Sequence, residues 1–423
     1  MISNIDWSKK HVIKTNTVAD CSDNVPEPKV WRSKIEPWLS AIFQSEHFSL
    51  LAGSGLTNAI SYLAGNSAQT MGRLNLAGEK YKDKIKLAAD SSASSMERGQ
   101  ANLEDDLRVS LELLKGYEIL NDISKNDIET ELNTTIKDFI NQVLATERNF
   151  FDSLTSEEQV KKDKTTNALN YLCSFLGSFA SRAASRERLN IFTTNYDRFI
   201  EFGSDEVGIL LLDRFKGKLL PIFRNTRLEL DYHYNPPGIR GEPRYVEGVA
   251  RITKLHGSID WRFKEHGTIV RLLLPFGASE AHPDIPNNPT KTSVIYPNSA
   301  KDIETAYYPY SELFRDFSSA VCRPNSSLLT YGYGFGDSHI NRIIADTFTI
   351  PSTHLIIISY DDPGKRIQKF LSDKNDAQYT LLLGSHFGDL KTLVDYYLPK
   401  SAIDRLTIKM NELVGRRPEP GKE

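Results

Sequence analysis

Four short clusters in this 423-residue chain carry residue types that could do chemistry, and each follows an apolar run. The first is Gly53-Ser54-Gly55-Leu56-Thr57-Asn58. Glycines let a backbone approach a phosphate closely, and the amides at a helix start favour an anion. The cluster lacks the Lys-Ser/Thr pair of a nucleoside-triphosphatase loop and the full G-x-G-x-x-G spacing. Such glycines also serve a strand-to-helix turn for geometry alone. The second, Thr193-Thr194-Asn195-Tyr196-Asp197, sets an amide and a carboxylate two positions apart at a strand end. The pair could face one pocket and hold a carboxamide-bearing ligand; equally, Asp197 could cap the helix that follows. The third is Lys254-Leu255-His256-Gly257-Ser258-Ile259-Asp260-Trp261. His256 stands between an apolar strand and a Gly-Ser turn, an exposed strand mouth where an imidazole can accept a proton, although a lone histidine also serves structure. The fourth, Thr330-Tyr331-Gly332-Tyr333-Gly334-Phe335-Gly336-Asp337, alternates glycines behind a strand. Asp337 or Ser338 could simply cap the next helix, and His339 reads as a helix-start residue, not a metal ligand.

Those clusters need elements to position them, and in an open parallel sheet ligands bind beyond the C-terminal ends of the strands. Residues 47–52 read as a buried strand entering a glycine turn, and Leu189–Thr194 and Val249–Leu255 read as two more. In the last third, Leu328–Tyr331, His354–Ser359 and Tyr379–Leu383 read as strands. They alternate with helices at Ile340–Phe348, Arg366–Leu371 and Leu390–Tyr397. Continuous apolar strands alternating with helices predict an α/β fold, a Rossmann-like parallel sheet with helices on both faces, spanning 46–65 and 160–400. Between them, 66–160 is charge-rich, and Leu103, Leu107, Leu111 and Leu114 recur at helical spacing, which predicts an all-helical insertion. A further helix over 165–185 holds Cys173 in its apolar stripe, a core residue rather than a nucleophile. Residues 1–45 are polar and proline-bearing, an N-terminal arm or the first elements of the fold. Residues 232–244 read as loop, 266–300 as irregular with a strand at Ser293–Tyr296, and 401–423 as a C-terminal helix and disordered tail.

Lys plus Arg is 52 and Asp plus Glu is 55, a net charge of −3. That balance argues against wrapping duplex DNA by bulk charge, so nucleic-acid binding by this chain alone is not expected. Hydrophobic residues at 39% suffice for a substantial core. No apolar run approaches the ~20 residues of a membrane helix, and the first residues lack a secretory pattern. The expectation is a soluble protein of a reducing, cytoplasmic compartment. Cys21, Cys173 and Cys322 are too few and too dispersed for a disulfide framework or a zinc ribbon, so no metal site is expected.

Taken in order, the four clusters resemble the sirtuin family, most specifically the bacterial sirtuin-like proteins that consume NAD during phage defence. The family's G-A-G-I/A-S turn is matched by Gly53-Ser54-Gly55-Leu56-Thr57, and its T-Q-N-I-D by Thr193-Thr194-Asn195-Tyr196-Asp197. Its H-G pair falls on His256-Gly257, and its G-T-S strand end on Gly332-Tyr333-Gly334. The resemblance implies catalytic roles for Asn195 and His256. It implies NAD+-binding roles for Gly53, Ser54, Gly55, Thr57, Thr194, Asp197, Gly332 and Gly334, with Ser359 as a further candidate for the adenosine ribose. The chain departs from the protein-deacylating members: it cannot build their four-cysteine zinc module, Thr194 replaces their glutamine, and G-I-P-D-F-R is missing after the glycine turn. These departures favour hydrolysis of the nicotinamide–ribose bond, with NAD+ as substrate and no zinc. The resemblance further implies NAD depletion in abortive infection, a homo-oligomer, and a HerA-type ATPase or phage-derived activator as partner. The alternative is a regulatory or scaffold subunit that binds NAD or ADP-ribose beside a partner ATPase or nuclease.

Overall fold

A computed structural model describes residues 5–68, 79–95, 101, 103–180, 182, 186–225, 231–234, 244–264, 267–295 and 308–400. The expected C-terminal helix and tail at 401–423 lie outside the described residues, as do parts of 66–160. In chain order the strands are β1 (His11–Lys14), β2 (Ala19–Ser22), β3 (His47–Ala52), β4 (Asn190–Thr193), β5 (Leu210–Leu212), β6 (Phe215–Lys216), β7 (Ile222–Phe223) and β8 (His233–Tyr234). They continue with β9 (Arg244–Tyr245), β10 (Val249–Lys254), β11 (Gly257–Phe263), β12 (Ile269–Arg271), β13 (Ser293–Ile295), β14 (Ser326–Tyr331), β15 (His354–Ser359) and β16 (Tyr379–Leu383).

The main sheet has nine strands in the order β2-β1-β16-β15-β14-β3-β4-β10-β5. From β16 to β5 every pairing is parallel; β1 and β2 add an antiparallel edge. Side chains alternate between faces along a strand. Leu50 and Ala52 of β3 therefore enter one core and Leu51 the other, and Ile356 and Ile358 of β15 are separated from Leu355 and Ile357 in the same way. Both faces are apolar because both are covered, as a parallel sheet requires, and each such leucine or isoleucine contributes about 1.5–3 kcal/mol by leaving water. One face is covered by α1 (Pro28–Ile42), α2 (Ser54–Leu63) and α6 (Gln159–Ala180), the other by the helices Tyr310–Val321, Ser338–Thr347 and Arg366–Leu371. The expected α/β, Rossmann-like architecture is the one observed. Cys173 packs against the first core, as expected, and burial pushes its thiol pKa up to about 11.

Between Glu79 and Leu154 the described residues include α3 (Glu79–Ser95), α4 (Leu103–Leu120) and α5 (Ser124–Leu154). Leu103, Leu107 and Leu114 pack with Ile128, Leu132 and Ile136 in a separate core, and that core also takes in Tyr196 and Ile259 from two of the chemistry-bearing clusters.

One expectation is corrected. The residues after His256 do not form a turn. Gly257 has φ +84, which redirects the chain, and Gly257–Phe263 at once becomes β11 of a second, antiparallel sheet of order β13-β11-β12-β7-β6. A left-handed glycine permits an abrupt change of direction, here after only Leu255 and His256 between the two strands. The segment 266–300, expected to be irregular, accordingly supplies β12 as well as β13.

Candidate active site

The register of the main sheet aligns the four clusters. Tyr331 pairs with Ala52, Ala52 with Thr193, and Thr193 with Lys254, so one cross-strand row runs through β14, β3, β4 and β10. Gly332, Gly53, Thr194 and Leu255 each leave the sheet one residue past that row, at the C-terminal ends where ligands of such sheets bind. Gly53 N donates to Tyr331 O at 3.0 Å, Thr194 N to Ala52 O at 3.4 Å, and Leu255 N to Thr193 O at 2.8 Å.

The glycine turn and the loop after β14 touch backbone to backbone. A Cβ on Gly55 would lie 2.5 Å from Gly332 Cα, and one on Gly332 would lie 2.6 Å from Gly55 Cα. Gly332 also has φ +60, a left-handed conformation that favours glycine. Gly55 N donates to Gly332 O at 3.0 Å, so the amides of Gly53 and Gly55 are both used within the protein. Ser54, at the start of α2, is exposed. Gly334 lies against Pro363 and Arg366, with 3.7 Å between its would-be Cβ and Pro363 Cγ. Ser359 Oγ donates to Asp361 O at 2.8 Å, inside its own loop.

The Asn195 side chain is 7% exposed as a residue and is fixed from two sides. Its Nδ2 donates to Gly53 O at 3.1 Å and to Thr57 Oγ1 at 3.0 Å. An amide has two N–H hydrogens, so a ligand contact by this group falls to Oδ1, an acceptor. Thr57 passes its own hydrogen to Asp197 Oδ2 at 2.7 Å, while Asp197 Oδ1 accepts from Phe199 N at 3.3 Å. Asp197 thus both braces the next helix, α7 (Phe199–Val207), and holds the glycine turn.

His256 is buried, 6% exposed, rather than at an open strand mouth. Its ring lies 6.1 Å from that of Tyr196, and its Nε2 is 2.9 Å from Asp337 Oδ2. Asp337 reads in the sequence only as a helix cap, because a pairing across 81 positions leaves no local signal.

Two ion pairs, Lys254 with Glu201 and Arg198 with Glu147, brace the site from behind. Lys254 Nζ donates to Asp197 O and, at 2.9 Å, to Glu201 Oε1. Burial raises the Glu201 carboxyl pKa, and Lys254 opposes that shift. Arg198, next to Asp197, is held by Glu147 of α5 through its backbone N (2.8 Å), Nε (3.2 Å) and Nη2 (2.6 Å). Lys254 lies within one motif and Arg198 directly after another, but Glu147 carries no sequence signal beyond a carboxylate on an apolar helix face. Among the described residues, no group of three or more His, Cys, Asp or Glu is arranged to hold a metal ion, and no helix is long and apolar enough to cross a membrane.

Residues 189–377 match the family model described as SIR2-like domain. The match takes in three of the four clusters and supports the sirtuin-like family. A SIR2-like domain supports an NAD-related function and suggests an NAD-dependent enzyme family. A search of curated proteins finds no match to the sequence.

Proposed function

We propose that the chain hydrolyses the bond between nicotinamide and ribose in NAD+, releasing nicotinamide and ADP-ribose. The observation that carries this reading is the common row Tyr331–Ala52–Thr193–Lys254, past which the glycines, Asn195 and His256 emerge together. The close approach of Gly55 and Gly332 suits a pyrophosphate crossing the sheet, since no side chain intervenes. When the C1′–N bond breaks, both electrons go to the ring nitrogen. Nicotinamide leaves neutral and needs no general acid. The ribose cation left behind takes up water, whose proton goes to a base or to solvent. Asn195 Oδ1 is an acceptor suited to the nicotinamide carboxamide N–H or to the attacking water. His256 bonds a ribose hydroxyl, feeding electron density toward the cation, or takes the proton. Such a base is worth about 10²–10⁴-fold in rate, and one electrostatic contact about 3–4 kcal/mol.

Resemblance to the phage-defence branch extends the reading to NAD depletion in an infected cell by a homo-oligomer, with a HerA-type ATPase or a phage product as activator. The decisive experiment is product analysis of NAD+ incubated with purified protein, with and without such partners. Nicotinamide and ADP-ribose are expected in equal amounts, and neither from Asn195→Ala or His256→Ala, whose circular dichroism stays native. Wild-type turnover by either variant overturns the assignment. The second reading, an NAD- or ADP-ribose-binding regulatory subunit, draws on the internal hydrogen bonds that hold Asn195 and Thr57 in place. Saturable binding without nicotinamide release in every partner combination would select it.

A further inference from the structure

The Asp337 carboxylate uses its two oxygens for two purposes. Oδ1 accepts from His339 N at 3.1 Å and Ile340 N at 3.4 Å, capping the helix Ser338–Thr347. Oδ2 lies 2.9 Å from His256 Nε2, with the side chains only 9% and 6% exposed. The loop that presents Asp337 is itself tied down. Asn341 N donates to Asp337 O at 3.0 Å, Asn341 Nδ2 donates to Phe335 O at 2.9 Å, and the Tyr333 hydroxyl reaches Asn341 Oδ1 at 2.9 Å. The direction of the Asp337 carboxylate is therefore set by the helix start and the loop together, independently of His256.

A carboxylate oxygen accepts hydrogen bonds and donates none, so the ring nitrogen facing it carries the hydrogen. In a neutral imidazole the other nitrogen then holds the lone pair. We infer that Asp337 is the positioning residue of the site: it holds His256 as the Nε2–H tautomer and so puts the ring's lone pair on Nδ1. The kinetic part of this inference rests on the proposed NAD hydrolysis; the tautomer itself does not.

The two-oxygen arrangement supplies its own test. Asparagine caps helices as well as aspartate does. In Asp337→Asn the oxygen equivalent to Oδ1 keeps the cap, while an NH2 group replaces Oδ2 and donates toward the ring. His256 must then present its lone pair at Nε2 and carry its hydrogen at Nδ1, the inverse of the wild type. The experiment is nitrogen-15 NMR of histidine-labelled protein, with the His256 signals assigned by their loss in His256→Gln. Wild type is expected to show a protonated Nε2 and an unprotonated Nδ1, and Asp337→Asn the reverse, at an unchanged thermal midpoint. In the nicotinamide-release assay Asp337→Asn should lower kcat by about 10²–10⁴-fold with KM for NAD+ unchanged. An Nδ1–H tautomer in the wild type overturns the inference, as does an Asp337→Asn protein with the wild-type tautomer and wild-type kcat. If the wild type releases no nicotinamide, the hydrolysis reading fails and the spectra still decide the positioning role. Should Asp337→Asn not fold, the wild-type spectrum alone decides.

Discussion

The Asn195 amide donates to Thr57 Oγ1 at 3.0 Å, which joins the loop after β4 to α2, 138 positions away in the chain. Thr57 relays the contact to Asp197 at 2.7 Å. One hydroxyl thus accepts from one motif residue and donates to another, and fixes the spacing between the glycine turn and the loop after β4.

Thr57→Val keeps the shape and removes both hydrogen bonds. Leaving the Asn195 donor and the Asp197 acceptor unpaired costs about 1–3 kcal/mol. Urea unfolding should register that loss, and nicotinamide release should fall with it. Thr57→Ser should restore both. Normal stability and turnover in the valine variant would show that the bridge is dispensable.

Gly332→Ala meets the Gly55 backbone and must hold a left-handed conformation. The conformational strain alone is on the order of 1–3 kcal/mol, and the two loops must separate. Loss of NAD+ binding, followed by calorimetry, is expected. Gly334→Ala is the control: its new Cβ would have 3.7 Å to its nearest neighbour, so the fold should be kept. A weaker NAD+ affinity in this second variant would place the ligand beside Gly334.

Glu147→Ala leaves the buried Arg198 guanidinium without its carboxylate. Breaking a buried pair from one side costs about 3–5 kcal/mol. The change lies on α5, yet it should reduce turnover, because Arg198 follows Asp197 directly. Denaturant midpoints and nicotinamide release, measured on one preparation, check both effects; an unchanged midpoint would refute the bracing role.

His354 makes stability pH-dependent. Burial first, then Lys14, lower its pKa from 6.5 to about 4. Trp38 Nε1 donates to Thr380 Oγ1 at 2.9 Å, and Thr380 Oγ1 lies 2.8 Å from His354 Nε2, an arrangement that suits a neutral ring accepting the threonine hydrogen. Between pH 6.5 and 4 the unfolded chain binds the proton that the folded one refuses. This contribution is therefore complete above pH 6.5 and falls away as the pH drops through that window. Unfolding free energies from pH 7.5 to 4.5, compared with His354→Gln, should show a shallower acid slope in the variant. Equal slopes would refute the assignment.

The parallel core was legible because its strands are buried on both faces and read as unbroken apolar runs. His47–Ala52, His354–Ser359 and Tyr379–Leu383 keep the bounds their hydrophobicity suggests. The antiparallel sheet was not, apart from β13 at Ser293–Ile295. Its strands β6, β7 and β12 have two or three residues each, and Gly257-Ser258 has the composition of a turn. Nor does anything local mark β1, whose partner β16 lies at the other end of the described chain. At the candidate site, residue types within each motif were visible. The contacts between motifs, Asn195 with Thr57 and His256 with Asp337, depend on strand register, which no single motif encodes.

The pairing of Val12 with Leu383, reinforced by Lys14 Nζ on Tyr379 O 365 positions away, has a consequence for biosynthesis. β1 must wait for β16, synthesised about 365 residues later, before this edge can be sealed. Closing so large a loop is entropically slow. Until then, Val12 and Ile13 lack the strand that pairs with them in the folded sheet.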